Sequence, residues 1–451
     1  MSGEVLVVGA GISGLHAALL MARQGRAVRV IERAARTGGL AGAETFRGIP
    51  CDLGSHRLHP SALDRPLFRE IDRVRPFLRR PRRGVLLFND RRIPYPPTAA
   101  AMLGALGPRA SAALAFGLIA RPGQRRAFAG WDRDRAADDE DVGFERFVRE
   151  RVGGPAYEAF YRPYAEKVWG LDPRDLSQSV AKKRVSTTAP WQLVQSFAGR
   201  AARWAMGRER DAIDGFVYPA EGASSIIAYL EEQLARHGVA VERGVPFDAT
   251  APRSGPVLFA GDLRDLVPTT LEHRGLYLVY LAFPIERAGE AETYYSPDPS
   301  FWFGRVSEPQ NYSPALRRAG ETIVTVEIPE GRWGPDRDFV KGALFDQLLA
   351  QLARAGIVPR GVRPIEVRQR FVPAVYPLYR RGWRAAWRAS MERVAALGDV
   401  FPFGRQALFL HINLDHCADI AEDVVRHVTA GGSPEAWLVG AQAYQDLRVR
   451  D

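Results

Sequence analysis

The chain has 451 residues, of which 46% are hydrophobic and 25% charged, with a formal net charge of +10 at pH 7. This composition is that of a globular protein, and the length exceeds one typical core, which predicts two domains. No basic low-complexity arm accompanies the charge, and Cys51 and Cys417 form no C-x-x-C motif. These observations argue against nucleic-acid binding, a disulfide framework and a metal site.

The first forty residues carry the pattern of a strand–helix–strand unit. Residues 5–8 form a short apolar run, typical of a strand that is buried on both faces. A helix follows, is expected to end at Gly25, and is opened by three glycines at G-x-G-x-x-G spacing: Gly9, Gly11 and Gly14. A second strand over residues 27–31 ends on Glu32, which completes a unit of the expected length.

This spacing has a physical meaning at each position. Gly9 allows a tight turn, Gly11 has no side chain to block a pyrophosphate, and Gly14 lets the helix lie close to the strand. The phosphates then meet the amides and the positive dipole end of the helix, while Glu32 can accept hydrogen bonds from a ribose. The alternative is an ordinary glycine-rich turn. The surrounding strand, helix, second strand and acid favour a dinucleotide site.

The residues after the acid indicate which dinucleotide binds. The segment ERAARTGG, from Glu32 to Gly39, resembles the extended fingerprint of FAD enzymes related to amine oxidases, protoporphyrinogen oxidase, phytoene desaturases and UDP-galactopyranose mutase. A double glycine lets the backbone approach the pyrophosphate a second time without a Cβ in the way. The resemblance therefore implies FAD, with Arg33, Gly38, Gly39 and Leu40 among the residues that bind it.

A second resemblance lies in the segment 52–59, DLGSHRLH. It is similar to the G-x-H-x-x-H loop of UDP-galactopyranose mutases and to the D-x-G-x-H-R segment of protoporphyrinogen-oxidase-like flavoproteins, which pass beside the isoalloxazine ring. The resemblance implies cofactor contacts from Gly54 and Ser55. It also implies catalytic roles for His56, Arg57 and His59, which can hydrogen-bond to a substrate or stabilise negative charge. The alternative is that both histidines are ordinary surface residues of the loop.

Residues 65–92 are rich in arginine. Most of these side chains are expected on a solvated face, and one or two of them can instead bind an anionic substrate. A hairpin is expected over residues 86–95, with Asn89-Asp90 at its turn. The apolar stretch 98–120 is interrupted at Pro108-Arg109, and each piece is shorter than the roughly 20 residues of a membrane span. It predicts two helices and no transmembrane segment, with peripheral membrane contact as the alternative.

The segment 163–170, PYAEKVWG, resembles the P-Y-x-x-K-x-W-G pattern of the oxidase-like group. It is also similar to the Y-T-x-K-Q-W-G pattern of the mutases, in which the tryptophan helps to hold the nucleotide. The resemblance implies catalytic roles for Lys167 and Trp169. Val168 stands where the mutases have glutamine, and aromatic residues at helical spacing more often belong to a core.

The last motifs lie near the end of the chain. Val245 is expected beside the adenine, as in the superfamily. Residues 404–416 resemble the final FAD motif, which implies cofactor contacts from four residues: Gly404, Arg405, Asp415 and His416. Asp415 is expected as the N-cap of a helix closed by Gly431, whose dipole would stabilise negative charge on a reduced flavin. The mutases have tyrosines between this arginine and aspartate, whereas this chain has Phe409-Leu410-His411.

These features together predict a two-domain α/β protein. The fold class is a discontinuous, Rossmann-like FAD-binding domain with an α+β substrate domain. The FAD-binding domain is expected to comprise residues 1–75, 215–265 and 395–451, and the substrate domain residues 76–214 and 266–394.

The leading functional prediction is an FAD-dependent oxidoreductase that takes a hydride from a C–N or C–C bond of a small molecule. The range 271–283 lacks the lysine that many amine oxidases carry there, which favours a desaturase-like or protoporphyrinogen-oxidase-like enzyme. A mutase that uses reduced FAD without net redox change, and an FAD-binding module without catalysis, stay as alternatives. The two isolated cysteines and the immediate first strand favour a cytoplasmic protein. The sequence leaves the oligomeric state open.

Overall fold

The computed structural model describes residues 3–95, 101, 104, 105, 107, 142–184, 215–447 and 449, so most of the predicted helix pair at 98–120 lies outside the described residues. The chain forms two compact units, each assembled from separate segments. Unit 1 comprises Met1–Arg79, Phe216–Leu271 and Arg384–Asp451, and unit 2 comprises Arg80–Gly215 and Glu272–Trp383. The predicted α/β fold class with two discontinuous domains is confirmed.

The strands and helices alternate along much of the chain. The described strands are β1 (Val5–Val8), β2 (Val28–Glu32), β3 (Ala43–Phe46), β4 (Ile49–Asp52), β5 (Phe77–Pro81), β6 (Gly84–Phe88), β7 (Arg91–Tyr95), β8 (Gly215–Pro219), β9 (Val241–Arg243), β10 (Val257–Phe259), β11 (His273–Phe283), β12 (Thr293–Tyr295), β13 (Arg305–Ser307), β14 (Thr322–Pro329), β15 (Glu366–Pro377) and β16 (Val400–Pro402). The longer described helices are Ile12–Arg23, Pro66–Val74, Phe144–Val152, Arg162–Trp169, Ser224–Arg236, Gly342–Arg354, Trp383–Ala395, Leu414–Thr429 and Pro434–Ala441. Short helices lie at Gly154–Ala156, Gln178–Arg184, Leu263–Leu266, Pro309–Tyr312 and Gly404–Ala407.

Unit 1 is built on a five-stranded parallel sheet with the order β16-β10-β1-β2-β9. The central strands β1 and β10 are short apolar runs because both faces of a parallel sheet are covered. The helix Ile12–Arg23 packs against the helices Ser224–Arg236 and Leu414–Thr429. This arrangement brings the start of the chain, its middle and its end into one layered unit.

Unit 2 is built on a seven-stranded sheet with the order β15-β11-β14-β13-β12-β6-β7. Neighbouring strands are antiparallel except β12 and β6, which run parallel. One face forms an apolar core with the helix Gly342–Arg354, which contributes Leu348 and Leu352. The predicted hairpin forms as β6 and β7, and Asn89 and Asp90 both take positive φ at its turn.

The observed boundaries of the units fall after residues 79, 215, 271 and 383, against predicted boundaries after residues 75, 214, 265 and 394. The largest difference concerns the helix Trp383–Ala395, nearly all of which belongs to unit 1. Its Trp387 donates from Nε1 to the Leu408 carbonyl at 3.1 Å, and its Ser390 hydroxyl donates to Thr269 at 2.8 Å. Amphipathic spacing shows that a helix has a buried face, but it does not show which core covers that face.

None of the described helices is long and apolar enough to cross a membrane.

Candidate functional site

The G-x-G-x-x-G turn joins β1 to the first helix of unit 1 with the predicted geometry. Gly9 has φ +97°, a conformation that L side chains rarely adopt. A Cβ at Gly14 would lie 1.8 Å from the Gly9 carbonyl oxygen, so the helix approaches the turn as closely as glycine permits. A Cβ at Gly11 would meet nothing closer than the Gly38 oxygen at 3.9 Å. Gly11 therefore borders open space at the helix N-terminus.

The double glycine lies directly against this turn. The Gly38 N–H donates to the Ala10 carbonyl at 2.7 Å, and Gly11 and Gly38 form an isolated parallel bridge. Gly38 and Gly39 have φ of +98° and +52°, and a Cβ at Gly39 would lie 3.5 Å from the Gly11 Cα. We call the two turns, Gly9–Gly11 and Gly38–Gly39, the glycine cradle. Leu40, just after it, is half-buried in a short 3₁₀ turn.

Glu32 ends β2 beside the glycine cradle. Its Oε2 accepts from the Ala10 N–H at 2.7 Å, and its Oε1 accepts from the Ala34 N–H at 2.9 Å. The Val245 N–H donates to the Glu32 carbonyl at 2.9 Å, so Val245 and Glu32 are neighbours. Arg33 forms an exposed ion pair with Asp265, which directs its charge to that carboxylate. The carboxylate of Glu32 is thus held in place by backbone amides, and each of its oxygens can accept a further hydrogen bond.

The loop after β4 carries the first group of predicted catalytic residues. His56 Nδ1 lies 3.7 Å from Oδ2 of Asp52, a buried carboxylate. The Tyr218 hydroxyl donates to the same oxygen at 2.8 Å, and the Ala223 N–H donates to Oδ1 at 3.3 Å. Asp52 therefore joins the His56 loop to the β8 region. A charge on the imidazole would be stabilised by this carboxylate.

The remaining residues of this loop have different surroundings. Gly54 has φ +113°, which favours glycine at that position. The Nε of Arg57 donates to the Ser55 hydroxyl at 3.1 Å, and its guanidinium lies 5.4 Å from the centre of the Phe216 ring. His59 Nδ1 accepts from the Ser61 N–H at 3.2 Å and thereby caps the short 3₁₀ helix Pro60–Asp64. His59 has a structural role at Nδ1, which the sequence motif alone did not indicate.

The C-terminal motif contains one correction. The helix Leu414–Thr429 has Asn413 as its N-cap, so the prediction that Asp415 caps it is wrong. The Asn413 N–H donates to Nδ1 of His416 at 3.4 Å, while Asp415 lies in the first turn. Asparagine and aspartate are both common N-caps, so the sequence alone does not decide between Asn413 and Asp415. The position at which the helix begins is set by its packing.

Three further residues belong to the surroundings of this motif. Gly404 lies against the first helix of unit 1: it has φ +76°, and a Cβ there would lie 2.8 Å from the Ser13 hydroxyl. The Nη1 of Arg405 donates to the Ile412 carbonyl. Arg65, which follows the His56 loop in the chain, contacts the same helix. Its Nη2 lies 3.3 Å from Oδ2 of Asp415, and its Nε lies 2.8 Å from Oδ1 of Asp419. No local pattern distinguishes Arg65 from its neighbouring arginines in the sequence, because only the folded chain shows which arginine meets these carboxylates.

Lys167 belongs to unit 2, on the helix Arg162–Trp169. Its Nζ donates to the Ser296 carbonyl at 2.7 Å and to the Asp298 carbonyl at 2.9 Å. Burial lowers the pKa of this ammonium group to about 7. The contacts connect the helix to the segment after β12, which is a structural role. A catalytic role for Lys167 stays a prediction.

Trp169 ends the same helix and is 3% exposed. Its ring meets Tyr376 edge to face, with 6.2 Å between the ring centres, and its carbonyl accepts from Nε of Arg274 at 2.8 Å. These contacts make it a packed residue of unit 2, and its predicted catalytic role is likewise untested. The other predicted site residues all belong to unit 1.

The residues of unit 1 fit a dinucleotide. The glycine cradle offers open space in front of Gly11 at a helix N-terminus, which is where a pyrophosphate is bound in such folds. The first helix has no acidic residue in its first turn, so nothing there opposes a phosphate. Among the described residues, no group of three or more histidine, cysteine or acidic side chains is placed to hold a metal ion.

Comparison with known proteins supports this assignment of the fold. Residues 7–74 match the model of an NAD(P)-binding Rossmann-like domain. No curated protein sequence matches the chain. A crystal structure of reduced UDP-galactopyranose mutase is 16% identical, with a TM-score of 0.75, and the match covers 100% of this chain and 98% of that one.

Two oxidases share the same architecture. A candidate protoporphyrinogen oxidase from Exiguobacterium sp. 255-15 is 15% identical with a TM-score of 0.64, over 96% of this chain and 99% of that one. A putrescine oxidase bound to putrescine is 16% identical with a TM-score of 0.60, over 95% and 99% of the two chains. The likeness over nearly the whole chain shows a common fold.

Proposed function

We propose that this chain, which has the fold of the amine oxidase, protoporphyrinogen oxidase and UDP-galactopyranose mutase superfamily, is an FAD-dependent oxidoreductase. Its substrate would be a small molecule that loses a hydride from a C–N or C–C bond. FAD, when bound, would supply the two-electron acceptor. The observation that carries the proposal is the glycine cradle, in which Gly38 and Gly39 lie against the Gly9–Gly11 turn.

The cradle supports FAD over a nicotinamide dinucleotide. A simple NAD site needs one glycine turn at a helix N-terminus, whereas here a second glycine turn presents backbone to the same place. The Glu32 carboxylate would accept hydrogen bonds from a ribose, because its oxygens are already oriented by the Ala10 and Ala34 amides. The N-terminus of the helix Leu414–Thr429 would stabilise negative charge nearby, with Arg65 balancing the charge of Asp415.

The chain's own acid–base chemistry would come from His56. When a hydride leaves the carbon of a C–N or C–C bond, a neutral double-bonded product forms only if a proton leaves the adjoining atom. The His56 imidazole could accept that proton, and the Asp52 carboxylate at 3.7 Å would stabilise the resulting imidazolium. Tyr218 holds Asp52 in place through its hydrogen bond to Oδ2. His56 is thus the proposed base, and Asp52 and Tyr218 are its positioning residues.

A mutase is the second candidate, because a reduced UDP-galactopyranose mutase superposes over the whole chain. Such an enzyme would need its cofactor reduced beforehand and would leave it reduced. The buried Phe409 and Leu410 stand in the stretch where the mutases have tyrosines, which argues against a direct transfer of the mutase chemistry.

One experiment separates the two candidates. The oxidised protein is mixed without oxygen with putrescine, other amines and protoporphyrinogen, and the flavin absorbance is followed. In parallel, pre-reduced protein is incubated with UDP-galactopyranose, and the products are separated by chromatography. Loss of the oxidised flavin band with one of the first substrates is the expected result. Isomerisation of the sugar nucleotide by reduced protein, with no change in flavin redox state, would refute the oxidoreductase and establish the mutase.

A further inference from the structure

One end of the sheet of unit 2 carries a group of buried polar side chains that the proposed function does not use. The loop 284–292 joins β11 to β12, and the loop 308–321 joins β13 to β14, both at this end. Four residues there are between 0% and 6% exposed: Glu308, Gln310, Asn311 and Thr322. We call these four residues the polar cluster. Their contacts determine which of their atoms must carry protons.

The side-chain amide of Gln310 has one possible orientation. Its Oε1 accepts from the Ile323 N–H at 2.9 Å, and its Nε2 donates to the Glu321 carbonyl at 3.0 Å. A backbone N–H can only donate and a carbonyl can only accept, so a rotated amide would lose both hydrogen bonds. Oε1 of Gln310 therefore faces the rest of the polar cluster as an atom that accepts and cannot donate.

The hydroxyl of Thr322 lies between two oxygens. Its Oγ1 is 2.5 Å from Oε1 of Gln310 and 2.5 Å from Oε1 of Glu308. A hydroxyl has one proton, and Gln310 has none to give, so Thr322 must donate to Gln310. The second contact then needs a proton from Glu308. An ionised Glu308 would instead place the lone pairs of two oxygens against each other.

The other contacts of Glu308 are poorly suited to a carboxylate. Nδ2 of Asn311 lies 2.9 Å from Oε2 of Glu308, but it also lies 3.0 Å from the carbonyls of Gly289 and Ala291, so two protons serve three acceptors. The N–H groups of Ala288 and Gly289 each donate to Glu308 at 3.2 Å. Hydrogen bonds from N–H groups to a charged carboxylate are usually shorter, at about 2.7–2.9 Å. These contacts satisfy a neutral carboxyl better than an ionised one.

The charges around Glu308 act in both directions. Burial is the largest influence and raises the pKa of Glu308, whereas the nearby charge of Arg287 lowers this pKa by a smaller amount. From β12, Tyr294 also faces Glu308, which contributes to the raised pKa of the Tyr294 hydroxyl. The other charged or titratable side chains of the surrounding elements are Arg80, Arg83, Arg92, Glu286, Glu290, Glu292, Tyr312, Arg318 and Glu321.

We infer that Glu308 is a protonated carboxylic acid that holds the loops 284–292 and 308–321 against the start of β14, and that loss of its proton as pH rises releases these loops. The step is a simple deprotonation, in which the O–H bond of Glu308 breaks, the proton goes to solvent water or hydroxide, and the carboxylate keeps the electron pair. All members of the polar cluster belong to unit 2. The inference is therefore independent of the proposed cofactor and reaction.

The direction of the pH dependence follows from the proton count. The pKa of Glu308 in the folded chain is raised above its ordinary value of 4.5, which applies once the loops open and the side chain meets water. Above pH 4.5 the closed form thus binds more protons than the open form. The stabilisation is complete below this pH and is lost as pH rises toward the pKa of the folded chain. Within this window each pH unit favours opening by about tenfold.

Hydrogen exchange followed by mass spectrometry measures the opening in the chain as purified. Protection of peptides that cover residues 284–292 and 308–323, corrected for the intrinsic exchange rate, should fall about tenfold per unit between about pH 5.5 and pH 7. In Glu308→Gln, which cannot ionise, the protection of these peptides should not change with pH. Glu290→Gln removes an exposed glutamate of the same loop and should keep the wild-type dependence. Protection that is constant with pH in the wild type, or that varies equally in Glu308→Gln, would overturn the inference.

Two variants of Thr322 test the order of the hydrogen bonds, including the case in which Glu308→Gln does not fold. Thr322→Ser keeps a hydroxyl that can accept the proton of Glu308 and should retain the pH dependence. Thr322→Val removes this acceptor, so most of the pH dependence should be lost. Equal pH dependence in the Ser and Val variants would contradict the role given to Thr322.

Infrared spectroscopy reads the protonation state directly at neutral pH. The spectrum of the wild type minus that of Glu308→Gln should contain the C=O band of a neutral carboxylic acid. Glu292→Gln is the control, because Glu292 is a buried glutamate of the neighbouring loop that accepts from the Arg83 N–H at 2.6 Å, and its loss should leave the band in place. Carboxylate bands in the Glu308 difference spectrum, or loss of the acid band in Glu292→Gln alone, would refute the inference.

Discussion

A side chain at Gly11 would interfere with cofactor binding without disturbing the fold. Its φ of −80° and ψ of 179° are accessible to any residue, and the space before it is open. Glu32, by contrast, accepts two backbone hydrogen bonds and so contributes to the local structure as well as to the proposed site.

We therefore expect Gly11→Val to fold normally and to contain no FAD, because its side chain would occupy the space of the pyrophosphate. Glu32→Ala should retain FAD with an affinity weakened by about 1–3 kcal/mol, the cost of the lost ribose hydrogen bonds. FAD content after gel filtration and circular dichroism measure the two properties separately. An equal loss of FAD in both folded variants would contradict the roles assigned to these residues.

His56 is the residue on which the proposed proton transfer depends. We expect His56→Ala to slow anaerobic flavin reduction by about 10²–10⁴-fold, as for loss of a general base, with unchanged FAD content. Stopped-flow absorbance with a saturating substrate gives the rate. His59→Ala is the comparison, because its Nδ1 caps a 3₁₀ helix and its loss should affect thermal stability more than rate. A His56 variant that reduces its flavin at the wild-type rate would exclude this residue as the base.

Lys167 makes stability depend on pH in a specific direction. The pKa of its ammonium group is about 7 in the folded chain, whereas the ordinary value of a lysine, 10.5, applies to the unfolded chain. Between these values the unfolded chain binds more protons, so the contribution of Lys167 to stability rises as pH increases from about 7 to 10.5. We expect the melting temperature of the wild type, relative to Lys167→Met, to increase between pH 7 and pH 9.5. A difference that is constant with pH would show that the lysine remains charged in the folded protein.

At the scale of elements, the contact between the first helix and β1 depends on the absence of one methyl group. A Cβ at Gly14 would lie 1.8 Å from the Gly9 oxygen, which belongs to the backbone and cannot move without shifting the turn. Two other features show the same dependence on packing. The helix Leu414–Thr429 begins two residues earlier than predicted, because its N-cap is Asn413 and not Asp415, and nearly all of the helix Trp383–Ala395 belongs to unit 1.

Gly14→Ala should accordingly lower the melting temperature and reduce FAD content, since the helix must move away from the strand. Gly440→Ala is the matched control, because Gly440 lies in the helix Pro434–Ala441 and a Cβ there meets nothing within 4 Å. The control should be neutral or stabilising by up to about 1 kcal/mol through helix propensity. Differential scanning fluorimetry measures both variants. A Gly14 variant as stable as the wild type would mean that the helix tolerates a wider separation from β1.

At the scale of the whole molecule, each unit combines distant segments of the chain. The proposed cofactor site draws on residues near both ends of the sequence, so it forms only after unit 1 has folded. The two cysteines are buried and form no disulfide, and burial raises the pKa of the Cys417 thiol to about 11. Neither thiol is disposed to attack a cofactor.

The purified protein should therefore be yellow and should release its flavin when denatured. Acid precipitation followed by absorbance and mass spectrometry of the supernatant identifies the released molecule as FAD. Yellow colour that stays with the precipitate would reveal a covalent bond, and release of NAD would contradict the proposed cofactor. Measurement under reducing and oxidising conditions controls for any change at Cys51 or Cys417.

The sequence by itself determined the features that depend on neighbours in the chain. The strand, glycine turn, helix and second strand of the first forty residues follow from apolar periodicity and from glycine's access to positive φ, and the structure confirms them. The hairpin at Asn89 and Asp90 follows from turn chemistry in the same way. These signals are local, so they can be recognised before any tertiary contact is known.

Only the tertiary structure decided which distant residues meet. Asp52 lies beside Tyr218, 166 positions away in the sequence, because β4 and β8 converge, and Arg65 meets Asp415 although 350 positions separate them. The motif around Lys167 makes it a catalytic candidate in the sequence. In the structure, its hydrogen bonds to two carbonyls give it a structural role. Such pairings depend on packing across separate segments, and the free energy of a buried charge depends on partners that no local pattern encodes.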